Sequence, residues 1–288
     1  MNEANKEKPN KWLNEFANNI TSQNGEDGII CKILDVLNES NKWCVEFGAC
    51  DGKYCSNTFN LIKNKGYSAV LIEKDKQKYQ DLLKTYKENK SVIPVNTFVG
   101  FEQKDGLEAV LKTTNIPIDF DLLSIDIDGN EYHVWEEVRH YKPKVVVIEY
   151  NPTIPNQVEF VQARDMLVTQ GSSLSSIDKL AKLKGYDLVS TTETNAIFVD
   201  SKYFELFGIN DNSIAAMRPD EPWVTYIFSG HDGRIFIKGY CRLPWHRISY
   251  SEAKMQQLPK LLRKHPSNYG VFRKAIMRFY RYLRGKKI

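Results

Sequence analysis

The sequence predicts an α/β fold, in which helices cover both faces of a mostly parallel sheet that has an antiparallel final strand. Three observations favour this fold. Short apolar segments alternate with segments of helical periodicity over residues 25–184. The segment 144–150 contains a continuous aliphatic run from Val145 to Ile148, as in a strand that is covered on both faces. Segments 186–190 and 196–199 are too close for a crossover helix, so they should pair antiparallel.

The individual elements follow from the chain in order. Ile29, Ile33 and Leu37 recur at helical spacing and predict a first helix over residues 25–38. The apolar segment Trp43–Phe47 predicts the first strand. The remaining elements alternate in the same way: helix 56–65, strand 68–73, helix 75–88, strand 91–99, helix 103–112, strand 120–127, helix 130–140, strand 144–150 and helix 173–184.

Acids and glycines stand where the first two strands end. The first strand runs into a turn that contains Gly48 and Gly52, and Glu46 stands two residues before the first glycine. The second strand ends in Glu73. Glycines let the backbone approach a ligand closely, and an acid after the second strand can accept hydrogen bonds from ribose hydroxyls. This arrangement predicts an adenosine-containing cofactor at the carboxyl ends of parallel strands.

The spacing of the turn favours S-adenosylmethionine over NAD. Gly48 and Gly52 are separated by three residues, so the second glycine of the dinucleotide fingerprint G-x-G-x-x-G is missing. Glu46 would repel a pyrophosphate but attract an ammonium group, and S-adenosylmethionine has an ammonium, a sulfonium and no phosphate. Five strand–helix units followed by an antiparallel hairpin are also the order of the Rossmann-like class I methyltransferase fold. A NAD-binding domain would more often continue with another parallel strand.

Five segments resemble the FkbM-type S-adenosylmethionine-dependent methyltransferases, over roughly residues 20–200. They are S-Q-N-G-E-D-G at 22–28, E-F-G-A-C-D-G at 46–52, L-I-E at 71–73, S-I-D-I-D-G-N-E at 124–131 and V-I-E-Y-N-P at 147–152. The resemblance implies methylation of oxygen, often of hydroxyls on sugars, polysaccharides or natural products. The chain departs from the usual D-G-A-N turn of that family, because Glu46 and Cys50 stand in its place.

The predicted cofactor site combines these segments. Glu46, Gly48 and Gly52 would hold the methionine part and Glu73 the ribose. The resemblance implies that the loop carrying Gln23 closes over the pocket; the alternative is an ordinary helix start with acids near the positive end of the helix dipole. The full set of predicted cofactor-binding residues is Gln23, Glu46, Gly48, Ala49, Gly52, Glu73 and Asp126.

The acceptor is expected at the ends of the fourth and fifth strands. The predicted catalytic residues are Asp126, Asp128, Asn151 and His133, and strand five also ends in Glu149. In one interpretation an Asp is a general base and His133 assists it. In another, Asp126 or Asp128 with Asn151 holds Mg²⁺, as in catechol-type O-methyltransferases. The plain alternatives are that the acids only cap the turn and that His133 is a partly buried helix residue.

The C-terminal part differs from the rest of the chain. We expect a methyltransferase domain at residues 1–200 and an extension at 201–288 that contains a β-hairpin around His231 and a basic amphipathic helix after Pro266. Residues 259–288 hold ten Lys or Arg and no acid, so residues 1–258 carry a net charge of −6 against +4 for the whole chain. The helix could dock on the domain, bind anionic lipid or bind nucleic acid. No RNA-binding motif accompanies it, which disfavours nucleic acid.

These observations together predict a cytoplasmic S-adenosylmethionine-dependent O-methyltransferase that acts on a sugar hydroxyl of a surface glycan, capsule or lipid-linked precursor. The polar start of the chain predicts no signal peptide, and the five cysteines predict reduced thiols. Peripheral attachment to the inner membrane face through the C-terminal helix is an added expectation. The alternatives are an RNA-directed methyltransferase that uses the basic tail, and a catalytically silent membrane-associated protein of the same fold.

Overall fold

A seven-stranded sheet forms the centre of the computed structural model, which describes residues 9–102 and 104–285. Its strands are β1 Trp43–Phe47, β2 Ser68–Glu73, β3 Val92–Asn96, β4 Leu122–Ile125, β5 Val145–Glu149, β6 Tyr186–Thr191 and β7 Asn195–Asp200. They lie in the order β3-β2-β1-β4-β5-β7-β6. Strands β1 to β5 are parallel, and β7 pairs antiparallel with both β5 and β6. The predicted mostly parallel sheet with an antiparallel final strand is confirmed.

Seven α-helices accompany this sheet in the described residues; the first precedes β1, the last follows β7, and the others lie between strands. They are α1 Glu26–Leu37, α2 Phe59–Lys65, α3 Lys76–Thr85, α4 Leu107–Leu111, α5 Glu131–Glu137, α6 Leu174–Lys184 and α7 Ile214–Met217. Asp75 begins α3 by accepting hydrogen bonds from two backbone N–H groups of its first turn. Helix α4 is shorter than predicted because Asp105 and Glu102 form a hydrogen-bonded turn in front of it.

The middle of the sheet is the core of the fold. The side chains of Val145, Val146, Val147 and Ile148 are fully buried, as the aliphatic run predicts for a strand covered on both faces. Strand β1 lies between β2 and β4, so the connections leave it in opposite directions along the sheet. In open α/β sheets, ligands bind outside the carboxyl ends of the strands at such a switch point. The residues that follow β1, β2, β4 and β5 therefore meet at the candidate site.

Two compact units divide the chain, the first ending at Asp220 and the second beginning at Glu221. Residues 201–220, which the sequence analysis assigned to the extension, belong to the first unit. Arg218 explains why, because its buried guanidinium donates to the carbonyl oxygens of Pro152 and Ile154 and to the side-chain oxygen of Asn156. These bonds hold the segment against the loop that follows β5.

The second unit consists of short elements and one longer helix. Strands β8 Thr225–Ser229 and β9 Ile235–Gly239 form a hairpin, and β10 Arg242–Leu243 pairs with β11 Ile248–Ser249. Helix α8 Glu252–Met255 and helix α9 Val271–Gly285 follow. Across residues 9–102 and 104–285, no helix has the length and apolar character that a membrane crossing requires.

Candidate functional site

The glycine turn after β1 packs directly against the end of β4. Gly48 has a φ of +83°, and a β-carbon there would lie 2.1 Å from the carbonyl oxygen of Asp126. The backbone N–H groups of Gly48 and Ala49 both donate to the carbonyl of Ile72, at 3.1 Å. A β-carbon at Gly52 would meet the side chains of Leu82 and Tyr86 at 2.5 Å. At both positions a β-carbon would clash with neighbouring atoms of the protein. The absence of one at Gly48 lets the backbone of Asp126 pack beside the turn.

Glu46 holds the loop that leads into α2. Its carboxylate accepts hydrogen bonds from the Ser56 hydroxyl at 2.6 Å, the Asn57 backbone N–H at 2.7 Å and the Thr58 hydroxyl at 2.8 Å. Burial raises the pKa of Glu46 to about 7, although these three hydrogen bonds act to lower it. Both carboxylate oxygens are engaged by the protein, so contact with the methionine part of a cofactor stays a prediction.

Glu73 fixes the same turn from the neighbouring strand. It is 6% exposed at the carboxyl end of β2. One carboxylate oxygen accepts the Cys50 N–H at 2.9 Å, and the other accepts the Asp75 N–H at 2.7 Å. Glu73 therefore lies beside the glycine turn with both carboxylate oxygens bonded to backbone N–H groups, and its contact with a ribose stays a prediction.

The loop that carries Gln23 lies over the segment that follows the glycine turn. The amide of exposed Gln23 donates to the Cys55 sulfur, and the Thr21 hydroxyl donates to the Ser56 carbonyl at 3.0 Å. Asp27 shapes this loop, because one of its carboxylate oxygens accepts the N–H groups of residues 20, 21 and 22 at 2.8 to 2.9 Å. The loop and the turn thus form one wall at the carboxyl edge of the sheet.

Asp126 and Glu149 form a carboxyl pair at the ends of β4 and β5. Ile125 and Ile148 are register partners, so the next residue on each strand lies beside the other. Burial, followed by the negative charges of Asp126, Glu131 and Asp128, raises the pKa of Glu149 to about 10. Burial, then Asp128 and Glu26, raises the pKa of Asp126 to about 6, while the hydrogen bond with Glu149 lowers it. At neutral pH Glu149 is therefore protonated and donates to an ionised Asp126.

The turn after β4 leaves the extended conformation at once. Asp128 has a φ of +60° and is exposed, so it does not continue the strand. Asp126 and Asp128 could share one strand face only if the extended geometry persisted to residue 128, and it does not. Buried Glu131 closes the turn by accepting the N–H groups of Ile127 at 3.1 Å and Gly129 at 2.6 Å. Burial raises the pKa of Glu131 to about 7.

Asn151 belongs to the loop at residues 150–173, which forms neither helix nor strand. The Asn151 side-chain oxygen accepts the backbone N–H of Thr153 at 2.9 Å and its hydroxyl at 2.6 Å, while the amide donates to the Gln170 carbonyl at 2.7 Å. Its amide is therefore part of the loop's own hydrogen bonding.

His133 lies on α5, against the same loop. It is 7% exposed, its Nε2 is 2.9 Å from the Gln162 carbonyl, and its ring packs edge-on against Phe101 and Tyr132. A ring nitrogen beside a carbonyl oxygen carries the proton, so Nε2 is a donor here. These contacts agree with the interpretation of His133 as a buried helix residue.

The charge of the site fits a cationic cofactor. The leading charge interactions of Asp126, Glu131 and Glu149 are with other carboxyl groups, and Glu26 beside them is 1% exposed. A ligand with a sulfonium and an ammonium would offset this negative charge, whereas a pyrophosphate would add to it. No set of three or more His, Cys, Asp or Glu within the described residues is arranged to hold a metal ion. The predicted Mg²⁺ site has no support from this geometry.

The strand order and the antiparallel β7 decide the fold class. The fold is the Rossmann-like class I methyltransferase fold. No family model matches the chain, and no curated protein matches it in sequence. Membership of the FkbM family therefore stays a prediction.

Some solved methyltransferase structures are similar to part of this chain. The N-terminal domain of EvdMO1 with SAH bound has a TM-score of 0.41 at 10% identity, over 63% of this chain and 82% of that chain. A SAM-dependent methyltransferase from Aquifex aeolicus has a TM-score of 0.37 at 10% identity, over 59% and 87%. A putative sarcosine dimethylglycine methyltransferase from Galdieria sulphuraria has 0.38 at 12%, over 56% and 60%. The strand order, not these distant likenesses, carries the fold assignment.

Sequence reasoning placed the glycine turn, Glu73 and Asp126 at one edge of the sheet, and the structure brings them together. It missed the role of Glu131, which closes the turn after β4. It also placed Glu149 at the acceptor edge without giving it a role. Counting both strands from their first aliphatic residue would have aligned Asp126 with Glu149.

Proposed function

We propose that this protein is an S-adenosylmethionine-dependent methyltransferase that methylates a hydroxyl oxygen. The observation that supports this most is the Asp126–Glu149 carboxyl pair beside the glycine turn, at the switch point of the sheet. Asp126 is ionised near neutral pH and can accept a proton. Glu149 is protonated and fixes the position of the Asp126 carboxylate through a hydrogen bond. This is the environment that a hydroxyl acceptor requires of a general base.

When bound, S-adenosylmethionine supplies the methyl group on its sulfonium. Asp126 would accept the proton of the acceptor hydroxyl, while the methyl group would come from the donor's sulfonium and SAH would remain. A pKa of about 6 keeps Asp126 ionised at neutral pH without making it too weak a base. A positioned base contributes about 10²–10⁴-fold to the rate. The ordered carboxyl edge positions the donor and acceptor, an effect worth up to about 7–11 kcal/mol.

The proposed cofactor contacts come from the glycine turn with Glu73 and from the loop in front of α1. Glu73 binds the ribose, and Gly48, Ala49 and Gly52 line the methionine part. Gln23 covers the cofactor from the loop in front of α1. Glu46 acts through the loop at residues 56–58, because its carboxylate oxygens are bonded there.

The acceptor is proposed to be a sugar hydroxyl of a surface glycan, capsule or lipid-linked precursor. This proposal is supported by the resemblance of the motifs and by the position of the loop at 150–173. Asn130 ties that loop to the start of α5 by donating to the carbonyls of Asp165 at 3.3 Å and Val168 at 3.2 Å. The loop therefore borders the turn that follows Asp126, where an acceptor would enter.

Titration calorimetry with S-adenosylmethionine, SAH and NADH tests the cofactor. We expect S-adenosylmethionine to bind more tightly than SAH, which lacks the sulfonium charge, and NADH not to bind. Glu73→Ala should weaken binding at least tenfold, since it removes a hydrogen-bond acceptor for the ribose and frees the turn. The matched control is Glu88→Ala, an exposed acid of the same unit. Binding of NADH in place of S-adenosylmethionine would refute the proposal.

Methyl transfer itself is tested with radiolabelled donor and a panel of glycan acceptors. Asp126→Asn should retain the fold and lose activity by about 10²–10⁴-fold, because the amide cannot accept the proton as a carboxylate does. An Asp126→Asn variant with full activity would show that another group is the base.

A further inference from the structure

The second unit is strongly basic, in contrast to the first. Residues 221–288 contain 15 Lys or Arg and three Asp or Glu, whereas residues 1–220 contain 25 and 33. The net charges at neutral pH are therefore +12 and −8, with His counted as neutral. A charge confined to one unit is suited to an anionic partner of that unit.

One face of α9 packs against its own unit. Arg273 donates to the Leu261 carbonyl at 3.1 Å, and the Tyr280 hydroxyl donates to the Gln257 carbonyl. Arg284 donates to the Gln257 side-chain oxygen at 2.7 Å. These three contacts fix which face of the helix is turned inward.

The stripe Phe272, Phe279 and Leu283, which we call the apolar stripe, lies on another face of α9. These residues are seven and four positions apart, which places them on one side of a helix. They remain 72%, 62% and 49% exposed. Lys274 and Arg278, both exposed, are four residues apart and lie on a different side of the helix from the stripe. An exposed apolar face with cations on the polar face is the pattern of a helix that lies in a bilayer interface.

A cavity of about 440 Å³ lies beneath the helix, within the second unit. Lys264, Arg281 and Arg284 line it with His231, and Leu258 and Met277 add apolar surface. Neither Lys264 nor Arg281 has an ion pair with a carboxylate of the described residues. Asp232 also lines the cavity, but it accepts the Arg234 N–H at 3.0 Å and lies 3.7 Å from the Arg234 guanidinium. The cavity therefore offers unpaired cations to an anionic group of modest size.

We propose that the second unit docks on an anionic lipid bilayer, with the apolar stripe of α9 inserted between headgroups and a lipid phosphate held in the basic cavity. The apolar stripe favours a bilayer over RNA. A bilayer buries Leu283 and both phenylalanines, whereas RNA gains from the cations and from stacking on aromatic rings but not from Leu283. The proposal is independent of methyl transfer.

Vesicle co-sedimentation of the full chain tests the proposal. We expect binding to phosphatidylcholine vesicles that contain about 30 mol% phosphatidylglycerol, and none to phosphatidylcholine alone. Phe272→Ser with Phe279→Ser should weaken binding at least tenfold by removing the inserted rings. The matched control is Leu167→Ser with Leu183→Ser, which removes two residues that are 92% and 86% exposed in the first unit, and it should bind as the unaltered chain does.

A second pair of variants tests the cavity. Each basic residue near an anionic surface changes affinity about fivefold, so Lys264→Ala with Arg281→Ala should weaken binding about 25-fold. Lys87→Ala with Lys90→Ala removes two exposed cations of the first unit and should change nothing. All substituted side chains are exposed, so unchanged thermal midpoints confirm that the variants fold.

Three outcomes overturn the proposal. The first is equal binding to neutral and anionic vesicles. The second is full vesicle binding by the Phe272 and Phe279 double variant, which would mean that the apolar stripe does not insert into the bilayer. The third is tight binding of single-stranded RNA, or of inorganic phosphate alone, without vesicle binding. Fluorescence anisotropy with labelled single-stranded RNA and calorimetry with inorganic phosphate, on the same preparations, distinguish these two ligands.

Discussion

Replacing Glu149 with alanine should raise the pKa of Asp126. The protonated Glu149 donates a hydrogen bond to the Asp126 carboxylate, and this bond holds down a pKa that burial and Asp128 raise. Glu149→Ala removes the donor without removing a charge, since Glu149 is neutral near pH 7. Glu149→Gln keeps a donor in the same place, because its amide N–H can replace the carboxyl O–H. The two variants should therefore behave differently.

The size of the change follows from the hydrogen bond. A hydrogen bond to a charged group contributes about 1.5–3 kcal/mol, and 1.36 kcal/mol corresponds to one pKa unit. Loss of this hydrogen bond should therefore raise the pKa of Asp126 by about one to two units. The unaltered chain and Glu149→Gln should titrate near pH 6, the pKa that the structure indicates for Asp126. Glu149→Ala should titrate between about pH 7 and pH 8.

Binding of S-adenosylmethionine provides the readout, without any knowledge of the acceptor. A cationic ligand favours the ionised Asp126, so its affinity should fall as the pH drops through the pKa of Asp126, with proton release on binding. Calorimetry in two buffers of different ionisation enthalpy measures both quantities. SAH carries the same amino group without the sulfonium charge, so it serves as the matched ligand. If the affinity of Glu149→Ala and of Glu149→Gln begins to fall at the same pH, the hydrogen bond with Glu149 does not set the pKa of Asp126.

Three further predictions concern stability. Gly48→Ala should lower the free energy of unfolding by about 3 kcal/mol in urea, because its β-carbon would lie 2.1 Å from the Asp126 carbonyl; an unchanged midpoint would contradict this close approach. Lys144→Met should cost about 3–5 kcal/mol in the same assay, because it leaves fully buried Asp121 without the ammonium 2.8 Å away, and a neutral effect would mean that water replaces it. Without ligand, the thermal midpoint should be higher at pH 5.5 than at 7.5. Carboxyls such as Glu46, with a folded pKa near 7 instead of 4.5, bind protons more tightly when folded, so their stabilising contribution is lost as pH rises through 7.

The order of the strands could be read from the chain because its signals are local. Trp43–Phe47 forms a strand with the predicted bounds, and residues 145–148 are buried on both faces. The start of α2 was predicted three residues early, and the reason is a contact across the turn. Ser56 and Thr58 donate to Glu46 instead of beginning the helix. Helix periodicity carries no information on that competition.

The location of the site was predictable, but the partners of its acids were not. Alternation of strands and helices places Glu73 and Asp126 at one edge of the sheet, whatever the side chains do there. Which groups each carboxylate binds depends on register and turn geometry. Glu131 accepts N–H groups of a turn in which Asp128 adopts a positive φ, and helical periodicity does not show which side chain takes that role. The protonation of Glu149 is likewise a property of the folded pair.

The acids at this edge are costly to bury, and a bound cation would offset that cost. Asp126, Glu131 and Glu149 all have raised pKa values, with burial as the first cause; neighbouring carboxyls come next for Asp126 and Glu149, whereas backbone N–H groups oppose the rise for Glu131. Groups arranged in this way destabilise the unliganded protein above neutral pH, unless a cation joins them. A ligand that brings positive charge should therefore stabilise the fold most strongly at high pH, where the acids are ionised. A neutral analogue of the same shape should show no such trend, and this difference in thermal shift separates a charge-selective pocket from one that recognises shape alone.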